Sequence, residues 1–279
     1  MQEQFKYLRS PYTTGLSAFS AKMTRFSYDK HAHEEYSIGV SCSGRQDFFS
    51  NGAYYKSNTE SIMFFNPEQV HDGCAGAGSP MEYAMLYIPE PILMNLMRSL
   101  SKVTKDQARL NTPIFKDTML RKQVFSLFRV MQQPNAFSVL EEEQMLLGIT
   151  QSIARLGGGE AFDKLKPQSR KDTLLIRAKE FIHDNLHHKI SVDDIACAAN
   201  ISKFHFIRLF CAQFGMTPHQ YVLYLRINQS KLVLESGERA VNVAAQFGFS
   251  DINHLNRKFK NVFGITPTEY QRQLFGNLR

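Results

Sequence analysis

The sequence predicts an α+β protein in two parts: a small antiparallel β-sandwich or β-barrel with two following helices, then an all-α region of paired short helices. Three observations lead there. Residues 17–90 carry short apolar runs separated by turn signals, residues 91–156 switch to a helical period, and the chain beyond about residue 165 contains an internal duplication of helix-length segments. A length of 279 residues also fits two domains better than one.

In the first part, residues 36–40 alternate, and residues 47–49 and 53–55 flank Asn51-Gly52, a pair suited to the tight turn of a hairpin. Further strands are expected at residues 62–65 and 83–88. Leu120, Val124, Leu127, Phe128 and Met131 then form one helical stripe, and Leu146, Ile149, Ile153 and Leu156 another, with Pro134 and Asn135 between them. Packing within the chain or against a second subunit would bury these stripes equally well. Periodicity stops from Gly157-Gly158-Gly159 through Pro167 to Ser169-Arg170-Lys171, which reads as a linker. The expected domains are residues 1–165 and 166–279.

A hydrophobic fraction of 43% with 22 Phe and 11 Tyr excludes disordered and low-complexity classes. Apolar runs long enough to span a bilayer are missing and the first 25 residues lack the pattern of a signal peptide, so a cytoplasmic protein without a membrane partner is expected. Cys42, Cys74, Cys197 and Cys211 show no Cys-x-x-Cys spacing and are expected to be reduced thiols. The charge is uneven. Residues 170–279 hold 15 Lys and Arg against 9 Asp and Glu, a surplus of six out of the net +7, which points to a polyanionic partner for the C-terminal part.

The duplication is the most specific feature. Ile195-Ala196 and Ser202 recur as Val243-Ala244 and Ser250; one residue later in register, His205, Arg208, Phe210, Phe214, Gly215, Thr217, Pro218 and Tyr221 recur as His254, Arg257, Phe259, Phe263, Gly264, Thr266, Pro267 and Tyr270. Ser202 and Ser250 are expected to cap helices, Gly215 and Gly264 to end them, and each Thr-Pro pair to start the next. This is the grammar of two helix-turn-helix motifs, at about 192–214 and 240–263, joined by one helix from Pro218 to about Glu235. Phe206, Leu209, Phe210 and Phe214 share one side of the first motif's second helix, as do Leu255, Phe259, Val262 and Phe263 in the second. The opposite sides carry Phe204, Ile207, Arg208 and Cys211, and Asn253, Asn256, Arg257 and Lys260. Arg can pair with guanine, Asn with adenine, and an apolar group can touch a thymine methyl. Backbone contacts are expected from Lys203, Lys258, Lys260 and helix N-termini.

Residues 173–274 resemble the DNA-binding domain of the AraC/XylS family of transcriptional regulators. The resemblance runs through Ile195-Ala196, residues 202–210, Gly215-Met216-Thr217-Pro218, residues 244–250, Arg257-Lys258-Phe259-Lys260 and residues 263–267. It implies promoter binding that usually activates transcription, contact with RNA polymerase, and Phe204, Arg208, Asn253, Asn256 and Arg257 facing the bases. The N-terminal half resembles, more loosely, the family's cupin-like sensing domain through residues 31–36, Gly44 and residues 66–73. This implies a small-molecule effector and homodimerisation through the following helices.

Candidate effector-binding residues are His31, His33, Glu34, Tyr36 and His71, and a polar metabolite such as an amino acid or sugar suits them. Two imidazoles two apart on a strand share a face, so His31, His33 and His71 with Glu34 or Glu35 could also hold a divalent metal. Pro67 four residues before His71, with Glu68-Gln69 at the expected glycine turn, weighs against that. The expectation is an effector-responsive regulator with no metal, cofactor or catalytic residue. A metal-dependent cupin enzyme fused to a DNA-binding domain is the rival, and a sensorless nucleoid-type binder is disfavoured by the long, nearly neutral first half.

Overall fold

The computed structural model describes residues 3–76, 79–100, 109–133, 137–156 and 170–276. Pro134, Asn135 and residues 157–169 of the expected linker lie outside the described residues, whereas Arg170 and Lys171, expected to end the linker, instead begin a helix that runs to Asp184. The chain forms two compact units, residues 1–28 with 32–164, and residues 165–279 with 29–31. Residues 29–31 end a strand hydrogen-bonded into the N-terminal sheets, and they are described there.

Strands are numbered in chain order. One six-stranded sheet runs β1 (Gln4–Arg9), β2 (Ser17–Met23), β9 (Met81–Ile88), β4 (Tyr36–Ser43), β7 (Ile62–Phe65), β10 (Ile114–Phe115). A four-stranded sheet runs β3 (Ser27–His31), β8 (His71–Ala75), β5 (Gln46–Ser50), β6 (Ala53–Ser57). Antiparallel register sets Ser37 opposite both Phe65 and Tyr87, and Gly39 opposite Met63 and Met85. The β5–β6 hairpin turns on Asn51 and Gly52, with φ of 50° and 80° as a primed turn requires.

Strand alternation then divides the side chains between two faces. Tyr36, Ile38, Val40, Ile62, Phe64, Leu86 and Ile88 face α1 (Glu90–Leu100), α2 (Thr118–Gln132) and α3 (Val139–Leu156) in one apolar core. The other face meets the four-stranded sheet, where Phe48 packs edge-on to Phe65 at 5.3 Å and the Tyr83 hydroxyl donates to that of Tyr28 at 3.0 Å.

Three helices follow the strands among the described residues where two were expected. The addition is α1, whose apolar stripe of Leu93, Met94 and Met97 is too short to stand out in sequence. Both expected stripes turn into the core, Leu120, Val124, Leu127 and Phe128 from α2 and Leu146, Ile149 and Ile153 from α3. Packing within the chain therefore consumes them. The exposed large apolar residues on α2 and α3 are Met119, Val139 and Leu140. Fully buried Glu142 of α3 accepts hydrogen bonds from the Ser10 and Thr13 hydroxyls, both at 2.6 Å, which fastens the β1–β2 connection to the helix.

The C-terminal unit contains α4 (Arg170–Asp184), α5 (Val192–Ala198), α6 (Lys203–Phe214), α7 (Pro218–Glu235), α8 (Ala240–Gln246), α9 (Ile252–Phe263) and α10 (Pro267–Phe275). Gly215 and Gly264 end α6 and α9 in the left-handed conformation. Thr217 caps α7 in a reciprocal box with Gln220, and Thr266 caps α10, each followed by Pro at the first turn. One expectation fails: α9 is capped by Asp251, whose carboxylate accepts from the His254 N–H at 2.8 Å, while Ser250 turns its hydroxyl to Asp251. A carboxylate at a helix N-terminus has the favourable dipole interaction that a hydroxyl lacks. Ser202 does occupy the N-cap of α6, but its side chain makes no capping bond.

Candidate functional site

The two helix pairs present α6 and α9 on similar supports. α5 and α6 meet at a bend of 88°, as helix-turn-helix geometry requires. Phe206 and Phe210 on α6, and Leu255, Phe259 and Phe263 on α9, are buried; Leu209, Phe214 and Val262 are half-buried at the edge. The opposite faces are open. Phe204 is 85% exposed, Arg208, Asn253, Arg257 and Lys260 are exposed, and Ile207, Cys211 and Asn256 are half-buried. Structure and sequence thus agree on which side of each helix is left for a partner.

Local interactions qualify Arg208 and Asn256 of these faces, and Lys203 beside them. Lys203 is paired with Asp193 at 2.6 Å, so a phosphate contact from it competes with an exposed ion pair, which holds it only weakly. Arg208 lies 3.2 Å from Nδ1 of His205, one turn back. The Asn256 carbonyl oxygen is buried without a hydrogen-bond partner, and rotation of this amide toward a base edge would relieve that cost.

Between the motifs, α7 is a rigid strut whose key anchor the sequence does not reveal. Arg226 donates from Nε to the Leu186 carbonyl at 3.0 Å and from its terminal nitrogen to the His188 carbonyl at 2.6 Å. Burial lowers its pKa, a sign of how far the guanidinium has left water. At the far end, Tyr270 donates to Glu235 at 2.5 Å and Gln271 donates to the Leu234 and Glu238 carbonyls. His187, in the connection between α4 and α5, packs beside Phe247 of the second motif, ring centroids 4.9 Å apart and tilted. These bonds set the separation and angle of the two outward faces.

In the sandwich, the expected effector residues do not all come together. His31, His33 and His71 cluster, each buried. Tyr36 does not join them, because alternation along β4 turns it to the helix-facing core, where its hydroxyl reaches the Met94 sulfur at 3.8 Å. Glu34 is exposed in the turn before β4. The inward residues missed in sequence are Ser37, Ser41, Gln46 and Ser57, each buried with a side-chain oxygen that lacks a hydrogen-bond partner. Burial holds the pKa of Tyr83 beside them well above the ordinary phenol value, so it stays a neutral hydrogen-bonding group.

A comparison with known proteins now decides the family. Residues 13–149 match the AraC-like ligand binding domain and residues 177–273 match a helix-turn-helix domain. The chain belongs to the AraC/XylS family. It is a transcriptional regulator with a DNA-binding helix-turn-helix region and a ligand-binding domain. The uncharacterized regulator YbfI of Bacillus subtilis is 24% identical over 260 residues, 91% of each chain. LumQ of Photobacterium leiognathi, a probable transcriptional regulator, is 34% identical over 111 residues, which span 39% of this chain and 44% of that protein. ToxT of Vibrio cholerae strain SCE256, solved with an unsaturated fatty acid bound, shares the fold at a TM-score of 0.62 and 13% identity over 97% of this chain and 100% of that one. No single helix among the described residues is long and apolar enough to cross a membrane.

Proposed function

We propose that this regulator is a homodimeric, effector-controlled activator, with residues 1–165 as sensor and dimerisation domain and 166–279 as DNA-binding domain. It acts in the cytoplasm, where promoter DNA and RNA polymerase are. The observation that carries the DNA reading is the pair of outward faces on α6 and α9. Phe204, Ile207 and Arg208 read one major-groove segment and Asn253, Asn256 and Arg257 the next, with Lys203 and Lys260 on phosphates. An α7 of 18 residues is about 27 Å long, near the roughly 34 Å between successive major-groove faces on one side of a duplex.

The sensor reading rests on the buried, unpartnered oxygens of Ser37, Ser41, Gln46 and Ser57 between the sheets. A polar effector satisfies them and an apolar one does not, so a polar metabolite is favoured. Effector binding changes promoter occupancy or polymerase contact only through a difference in affinity between two arrangements of the protein. Because the α2 and α3 stripes are consumed in the core, the dimer contact is assigned to the exposed Met119, Val139 and Leu140.

Selection and sequencing of DNA fragments bound by the purified chain, with and without a panel of polar metabolites, tests the whole reading. The expected product is a bipartite site with half-sites one helical turn apart and an occupancy that one metabolite changes. Protection of a single groove segment, or fragments without a shared sequence, would overturn it.

A further inference from the structure

The histidines of the sensor sandwich form a donor set of a definite kind. One ring nitrogen from each of His31, His33 and His71 lies within 4.8 Å of the other two. Nδ1 of His31 sits 2.7 Å from the Asp29 carbonyl oxygen, and Nδ1 of His71 sits 2.8 Å from that of Gln69. A carbonyl oxygen only accepts, so Nδ1 carries the proton in both rings and Nε2 keeps its lone pair. A backbone carbonyl that fixes the tautomer in this way is the usual outer partner of a metal-ligating histidine. His71 is further held by parallel stacking on Phe65, ring centroids 3.8 Å apart, and His33 packs on Tyr87 at 4.8 Å.

Ser37 supplies a second, independent observation. Its hydroxyl is fully buried without a hydrogen-bond partner, and the register sets it opposite Phe65 and Tyr87, the residues that contact His71 and His33. Residues opposite one another across a sheet point to the same face, so this hydroxyl is aimed at the side of the sheet where the histidines lie.

We propose that His31, His33 and His71 bind one first-row divalent cation, Zn2+ by donor type, with an open coordination position toward Ser37 for water or an oxygen donor of the effector. The donor set selects the ion. Magnesium and calcium want oxygen ligands, whereas neutral imidazoles suit zinc and its neighbours, and three protein ligands leave a tetrahedral ion one place for a ligand. Bonds of about 2.0–2.1 Å put nitrogens roughly 3.3 Å apart, so the cluster closes by about 1.5 Å. His33, beyond the end of β3 rather than within it, is placed to make that movement. The proposal rests on the reading of the sandwich as the sensor, and it replaces the expectation of a metal-free pocket.

Metal binding is measured without DNA, so its failure and the failure of promoter recognition are separate results. Untagged, chelator-treated full chain is titrated with Co2+ and then with Zn2+. One Co2+ per chain is expected, with visible absorption of a low-coordinate ion, no near-ultraviolet band from a cysteine sulfur, and displacement by Zn2+. His33→Gln and His71→Gln each weaken binding at least about 100-fold, and His219→Gln on α7 leaves it unchanged. A chain that takes up no Co2+ at micromolar concentration, a sulfur-to-metal band, or undiminished binding by His33→Gln overturns the proposal. The stoichiometry and spectrum of the unaltered chain decide the question even if a variant does not fold.

Discussion

Ile201 and Phe249 each donate a backbone N–H, at 3.0 Å, to an alanine five residues earlier, across turns whose left-handed residue is Asn200 in the first motif and Gly248 in the second. The two motifs share this bond, the buried phenylalanines Phe210 and Phe259, the glycines that end α6 and α9, and the Thr-Pro starts of α7 and α10. They differ in what they show to solvent. The first offers a ring and an aliphatic group beside one arginine; the second offers two amides and two cations. Most positions that the duplication keeps are those that packing and chain reversal dictate, the exposed Arg208 and Arg257 being exceptions, and the positions where the copies part give the two outward faces different chemistry.

The largest expected effect tests the shared part. Phe210→Ala and Phe259→Ala each remove a fully buried ring, and each should cost about 3–5 kcal/mol, measured by denaturant unfolding. Near-equal losses support two motifs held by equivalent cores. A loss below about 1 kcal/mol at either position would show that its motif is held by something other than the ring.

The next effects test the difference. Arg257→Ala should weaken the selected site by about 1–3 kcal/mol and leave random duplex nearly unchanged. Lys260→Ala should weaken all DNA alike and reduce the salt slope by about one. Loss of specific and random affinity in equal measure on Arg257→Ala removes it from base reading. Phe204→Ala should lower affinity for the selected site with the salt slope unchanged, because it removes apolar contact and no charge. Its exposure means that folding stability should not move.

How much of this was legible follows from how local each feature is. Asn51-Gly52, the Thr-Pro starts and the repeated phenylalanines act within a few residues of themselves, so sequence spacing is enough to place them. Tyr36 was mislaid because an eight-residue strand with both faces buried does not say which face meets the helices and which the second sheet. The meeting of His71 with His31 and His33 depends on β3 lying beside β8, a pairing across some 40 residues that spacing does not carry. Arg226 carries no local sequence signal that sets it apart from other cations. Only the carbonyls of Leu186 and His188, brought to it by tertiary packing, reveal its role.

The smallest effect separates the motifs by their caps. Ser202→Ala removes a side chain that makes no capping bond, so the melting temperature should be unchanged, whereas Asp251→Ala should lower it and Asp251→Ser should recover part of the loss. The His254 N–H and the Ser250 hydroxyl hold the Asp251 carboxyl below the usual carboxylate range. Its contribution is therefore present above about pH 3.9, the unfolded value, and fades as pH falls through the lower folded value. In a series of melts from pH 7 to pH 3, the unaltered chain and Asp251→Ala should converge only at the acid end. Curves that stay parallel throughout would mean that the carboxylate charge contributes nothing, and that the cap acts through shape alone.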